Sequence, residues 1–263
     1  MIRSRAAGRG PRQRWARAGL AHAGLAMALL LLPAVAAVRV ALGQWPGGDT
    51  VIETVHNLSR TAQVAPMSGF IANYQQACVY CHHPHGTSGN RPIWNRDPSN
   101  ASFRMYESGS LDMPIDPRPA AASMLCLSCH EGSIPLDRVQ VKPAGFGPGG
   151  GNGETIKRCA TDCHTGGNPA GGFNWEQVWF EPDLRKQHPI SIVYDPSLDP
   201  GFQPVSTVEA AGLRLVDGKV ECMTCHEPHS QRYRPFLRIA NTAGSLCLVC
   251  HRSPPGRSTA HFW

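Results

Sequence analysis

Aromatic residues are scarce in this 263-residue chain, at 7% of the total, while glycine and proline number 27 and 23. Gly and Pro interrupt almost every pattern that would otherwise support a long helix or strand. Strand signals are confined to Ile190 to Tyr194 and to Leu213 to Val220, the latter split by Asp217-Gly218. Long regular elements and a core of large side chains are therefore excluded, and a domain of this length must bury something else.

Acidic residues and lysine are absent from residues 1–43, which carry seven arginines. With those set aside, the formal charge of +6 becomes −1. The basic balance belongs to this segment, and the rest of the chain has no electrostatic reason to bind nucleic acid. The segment itself reads as an export signal. Six arginines lie between Arg3 and Arg17, an uncharged run follows from Ala18 to Val38, and small residues suited to cleavage lead to Gly43. No two arginines are adjacent in it, which favours the general secretory route. The other reading is an uncleaved membrane anchor, against which Pro33 and His22 weigh.

What the chain does have is cysteine in a fixed pattern. All ten cysteines form five pairs, each followed at once by histidine: Cys78-Cys81-His82, Cys126-Cys129-His130, Cys159-Cys163-His164, Cys222-Cys225-His226 and Cys247-Cys250-His251. Four pairs enclose two residues and the third encloses three. Disulfides and zinc sites also use paired cysteines, but neither requires a histidine after the second. Composition alone would give five such histidines with a probability on the order of 10⁻⁷. Two thiols on one turn add to the two vinyl groups of a porphyrin, and the next imidazole then faces the iron. The expected cofactor is haem c, five per chain, whose flat apolar faces supply the surface that the side chains lack.

The group in the second axial position decides between electron transfer and ligand chemistry. Six histidines remain outside the signal and the motifs: His56, His83, His85, His188, His229 and His261. Their placement repeats as H-x-[LI]-S, then C-x-x-C-H-x-P-H, then L-C-L-x-C-H, once from His56 to His130 and once from His188 to His251. A histidine three residues beyond the proximal one cannot easily turn back onto the same iron. The expectation is that His85 serves the haem of Cys126 and Cys129, and His229 that of Cys247 and Cys250. His56 and His188 then serve the first haem of each unit, or the equivalent haem of a neighbouring molecule. The third haem would draw its second ligand from His83, or alternatively from His261 or from Met105 or Met113. No CxxCK variant, a mark of some multihaem reductases, is present, and the chain is expected to be an electron carrier rather than an enzyme.

The strings HNLS at His56, CVYCHHPHG at Cys78, PIWNR at Pro92, FRMYESGSLDM at Phe103, MLCLSCHEGSIPLD at Met124, HPISIVYDP at His188, KVECMTCHEPH at Lys219 and FLRIANTAGSLCLVCH at Phe236 resemble the doubled-CxxCH multihaem cytochromes. They are closest in kind to the tetrahaem subunits of extracellular cytochrome filaments, and the CATDCH site is the departure. The resemblance implies stacked haems, bis-histidine ligation, little regular structure, electron delivery to acceptors outside the cell, and in some members a distal histidine lent by the adjacent subunit, a role for which His56 is the natural candidate. The expected organisation is a signal over 1–43, a two-haem unit over 44–140, a Gly-rich insertion with the third site over 141–175 and a second two-haem unit over 176–263. The fold expected is mostly coil with short helices at Ala72 to Tyr80, Ala120 to Cys129 and Thr242 to Cys250. Redox proteins, or further copies in a homopolymer, are the expected partners, with a periplasmic or extracellular location. A periplasmic shuttle and a reductase with one open haem are the rival readings.

Overall fold

The computed structural model describes residues 49–62, 74–83, 85, 93–147, 153–159, 161 and 178–253. Irregular chain dominates. Helices are short: α1 (Ala121–His130), α2 (Ile156–Arg158), α3 (Val205–Ala210), α4 (Cys222–Cys225) and α5 (Ser245–Cys250), with 3₁₀ turns at Val51–Glu53, Ala77–Tyr80, Leu184–Lys186 and Thr242–Gly244. Two two-residue strands, β1 (Ile192–Val193) and β2 (Lys219–Val220), pair antiparallel with Ile192 opposite Val220. This is the mostly irregular, β-poor architecture expected from the composition. Among the described residues no helix is long and apolar enough to cross a membrane.

Local chemistry explains the elements. Asp217 and Gly218 both take positive φ, 53° and 72°, the geometry of a two-residue hairpin turn, and Val216 bridges Lys219 across it. α3, which the sequence reading omitted, starts after Pro204 and is followed by Gly212 at φ 96°, so a proline opens it and a left-handed glycine closes it. In α1 the spacing sorts the two faces. Ser123, Met124, Leu127 and Ser128 are buried, while Cys126, Cys129 and His130, at i, i+3 and i+4, share the opposite, half-buried face.

Among the described residues the core forms three small clusters, each beside a cysteine motif. Val79, Tyr80, Leu136 and Ile156 pack with Cys81 and Cys129 at their edge. Met113, Ile192, Tyr194, Val208, Leu213 and Val220 pack with Leu246, Val249 and Cys250. Met124, Leu127 and Leu184 lie behind α1 with Met105 and Phe180. Met113 and Met105 both lie in this apolar packing.

Candidate haem-binding site

The duplication inferred from sequence extends into a return loop that the motifs do not cover. The backbone N–H groups of His83 and Glu227, each following a proximal histidine, donate to the carbonyls of Ile93 and Phe236, and those of Asn95 and Arg238 donate back to Cys81 and Cys225. Ile93 and Phe236 both have positive φ, 61° and 57°. The side chains repeat as well: Asn95 Nδ2 donates to the Val79 carbonyl at 2.7 Å and Arg238 Nε to that of Met223 at 2.7 Å. Each loop therefore fastens the turn between the two cysteines, which fixes how both thiols are presented.

α1 and α4 pack on each other through Glu221, which is 2% exposed. One of its carboxylate oxygens accepts from Ser123 Oγ of α1 and from Ser191 Oγ at 3.1 Å, and Ser123 Oγ also accepts from the Cys222 N–H at 3.1 Å. Burial pushes the thiols of Cys81 and Cys225 up to about 12, the mark of an apolar setting and not of a nucleophilic thiolate. None of the described cysteines is in a disulfide, and no three described His, Cys, Asp or Glu side chains converge as a metal cluster.

The histidines come together in pairs. The ring centres of His56 and His130 are 6.2 Å apart, those of His82 and His229 6.1 Å, and those of His188 and His251 6.5 Å. Two imidazoles bound to one metal from opposite sides, with metal–nitrogen bonds of about 2 Å, have ring centres about 6 Å apart. Each pair joins a motif histidine to one from outside the motifs. Four of these six rings, and that of His226, are held at Nδ1, while His82 Nδ1 is buried without a partner: His56 donates to the Pro228 carbonyl (3.1 Å), His130 to Val178 (2.6 Å), His188 to Pro189 (2.9 Å), His226 to Pro235 (3.0 Å) and His229 to the Glu227 carboxylate (2.9 Å). A bond at Nδ1 fixes the tautomer that leaves Nε2 for a metal. Desolvation lowers the pKa of His82, His130, His188, His226 and His251 and takes His56, with help from His130, to about 4. The imidazoles are held neutral, the ligating form.

The few aromatics stand beside these rings. Phe236 stacks on His56 at 4.2 Å, Phe180 on His130 at 5.6 Å, Trp94 meets His82 edge-on at 5.3 Å, and Phe202 lies 4.5 Å from His251. Sequence reasoning missed all four. The repeated return loop, PIWNR against PFLRIA, carries the only signal that could have located Trp94 and Phe236.

The structure pairs the histidines differently from the spacing argument. His229 lies against His82 of the first unit, and the neighbouring Pro228 carbonyl accepts from His56 Nδ1, whereas the spacing in sequence predicts that His229 serves the haem of Cys247 and Cys250. His56 and His188 face the second motif of their own units, at His130 and His251, and not the first. His56 thus lies beside an imidazole of its own chain. His85 is exposed, its carbonyl accepts from His83 Nδ1, and among the described residues it stands opposite no motif histidine. Of the third site, Cys159 is buried after α2; Cys163, His164 and the alternative ligand His261 lie outside the described residues.

A family model for the doubled CXXCH motif matches residues 215–255, which contain the last two cysteine pairs and their histidines. This stretch carries the attachment pattern of a multihaem c-type cytochrome with covalent haem c. No curated protein matches the chain. The paired motif fits an electron carrier, and the neutral, Nδ1-anchored imidazoles fit the axial positions of haem iron, which supplies one-electron chemistry when bound.

Proposed function

We propose that this protein is an exported cytochrome that passes electrons along five haems, each held by one of the cysteine pairs, towards acceptors outside the cell. His82, His130, His164, His226 and His251 are the proximal ligands. His229 completes the first haem, His56 the second and His188 the last. The observation that carries this reading is the shared 6.1–6.5 Å spacing of three histidine pairs, each made of one motif and one non-motif residue. Imidazole on both faces leaves an iron no position for substrate, so these haems relay electrons and make no bonds.

The filament role implied by the family resemblance is the second part of the proposal. His56 lies beside His130 of its own chain, so exchange of that histidine between copies of a homopolymer would require this pair to part. Among the described residues no histidine ring pairs with His226 at the spacing of the other three, and His164 lies outside them, so the reductase reading would need an open position at one of these two irons.

The test is a haem count by intact mass and pyridine haemochrome, followed by absorption and paramagnetic resonance spectra. Five haems, all low-spin, and the appearance of high-spin iron in His188→Ala but not in His261→Ala, are expected. Four haems would remove the CATDCH site. Tight carbon monoxide binding by the reduced wild-type protein would favour the reductase, and electron microscopy of secreted material separates filament from shuttle.

A further inference from the structure

Arg96 is the largest of the fully enclosed side chains, 1% exposed. Its guanidinium donates from Nη1 to the Leu136 carbonyl (2.8 Å) and from Nη2 to those of Ser128 (3.1 Å) and Pro135 (2.9 Å), while Nε is buried without a partner. No carboxylate among the described residues pairs with it. Arginine does not lose its proton in proteins, so this is a permanent buried cation, offset only by carbonyl dipoles. Such an arrangement is costly unless something nearby takes up negative charge.

Its location says what that is. Ser128 lies between Cys126 and Cys129, and the neighbouring Asn95 is bonded to Val79 and Cys81 of the first motif. Arg96 is thus wedged between two haem-binding turns. A fixed positive charge between the two turns favours adding an electron to a group held at either of them. The second unit differs. Arg238, in the repeated position next to that of Arg96, has a side chain only 9% exposed but is paired with Glu227 at 3.0 Å. Glu221, at the other end of α1, is bonded to Ser123 and Ser191 and makes no ion pair with Arg96.

We propose that Arg96 is a fixed counter-charge that raises the reduction potentials of the haems at Cys78–His82 and Cys126–His130 above those of the second unit, so that electrons entering the chain settle on the first. The inference rests on the haem attachment proposed above. Each transfer moves one electron from a ferrous haem of the second unit to a ferric haem of the first, with no bond made or broken. In a low-dielectric interior one unpaired charge acts over many ångströms, and haem potential responds to burial and local charge.

The test is spectroelectrochemical titration of the full haem-loaded chain. Arg96→Met is expected to move two haems to lower potential, and Arg96→Lys, which keeps the charge, to leave them near wild type. Superimposable wild-type and Arg96→Met curves, or equal shifts in Met and Lys, would overturn the proposal. Should Arg96→Met not fold, the wild-type order decides: the haems reduced first must be those whose spectra change in His229→Ala and His56→Ala. If the haem altered by His188→Ala is reduced before them, the proposal fails. A pyridine haemochrome assay on the same sample reads the haem attachment separately, and absence of covalent haem would overturn both readings.

Discussion

The imidazoles of His82 and His229 lie 6.1 Å apart with their planes 22° from parallel, although one belongs to each repeated unit. The relationship interlocks the units: the side chain proposed to complete the first haem site comes from the turn that follows the fourth motif.

This crossing makes a prediction that separates the two ways of assigning His229. In the wild-type background His229→Ala should convert one haem from low- to high-spin. In a Cys78→Ala/Cys81→Ala background, which lacks the first haem, it should add no further high-spin signal. In a Cys247→Ala/Cys250→Ala background it should still do so. Paramagnetic resonance of the three pairs is the measurement, and the opposite pattern would return His229 to the last haem.

Asn95 fastens the first turn from three directions: its amide donates to Val79 (2.7 Å) and Val141 (3.0 Å), and its carbonyl oxygen accepts from the Val141 N–H (2.8 Å). It is fully buried, so Asn95→Ala leaves backbone groups unpaired where water cannot reach them. A loss of roughly 2–4 kcal/mol is expected, read as a lowered thermal midpoint of the haem-loaded protein. Asn95→Asp, which turns a carboxylate oxygen towards the Val79 and Val141 carbonyls in a buried site, should be at least as destabilising.

How much of this was legible beforehand follows the range of the interactions. The cysteine turns, the short helix at Ala121–His130 and the Asp217-Gly218 hairpin turn are set by residues within a few positions of one another, and the sequence displays them. The repeat was visible because both copies keep its histidines. Which histidine faces which was not legible. That depends on the packing of α1 on α4 through Ser123, Glu221 and Ser191, residues 30 to 98 positions apart with no periodic signature. Arg96 and Glu221 carry no signal either, since their burial is a property of the assembled loops.

Glu221 gives a pH prediction whose sign can be worked out. Burial raises its pKa above the ordinary value of 4.5, so the native state binds its proton more tightly than the unfolded chain. Stability is therefore fullest below the ordinary carboxylate value and declines as pH rises towards the folded-state pKa. Glu221→Gln keeps an oxygen for Ser123 and Ser191 and removes the titration. It should flatten that decline and be the more stable of the two at alkaline pH. Denaturant midpoints across pH 4 to 9 check this, and equal slopes in both proteins would show that Glu221 is ionised as readily as in water.

Gly132 ties backbone geometry to a proposed ligand. It follows α1 at φ +88°, and a Cβ there would lie 2.5 Å from Trp179 Nε1 and 2.8 Å from Lys157 Cβ. Trp179 is itself anchored, with Nε1 donating to the Glu131 carbonyl at 3.3 Å. The residue before it, Val178, supplies the carbonyl that holds His130 Nδ1. Gly132→Ala then has two consequences. The left-handed backbone costs about 1–2 kcal/mol for any residue with a Cβ, and the displaced indole pulls on the segment that orients His130. The expected result is a lowered thermal midpoint together with an altered low-spin signal for one haem, the same haem whose signal responds to His56→Ala. Trp179→Ala in the Gly132→Ala background removes the clash with the indole, though not that with Lys157 Cβ, so it should recover part of the stability while leaving His130 less well oriented. If the two variants together were no more stable than Gly132→Ala alone, the cost would lie in the backbone and the Lys157 contact and not in the indole.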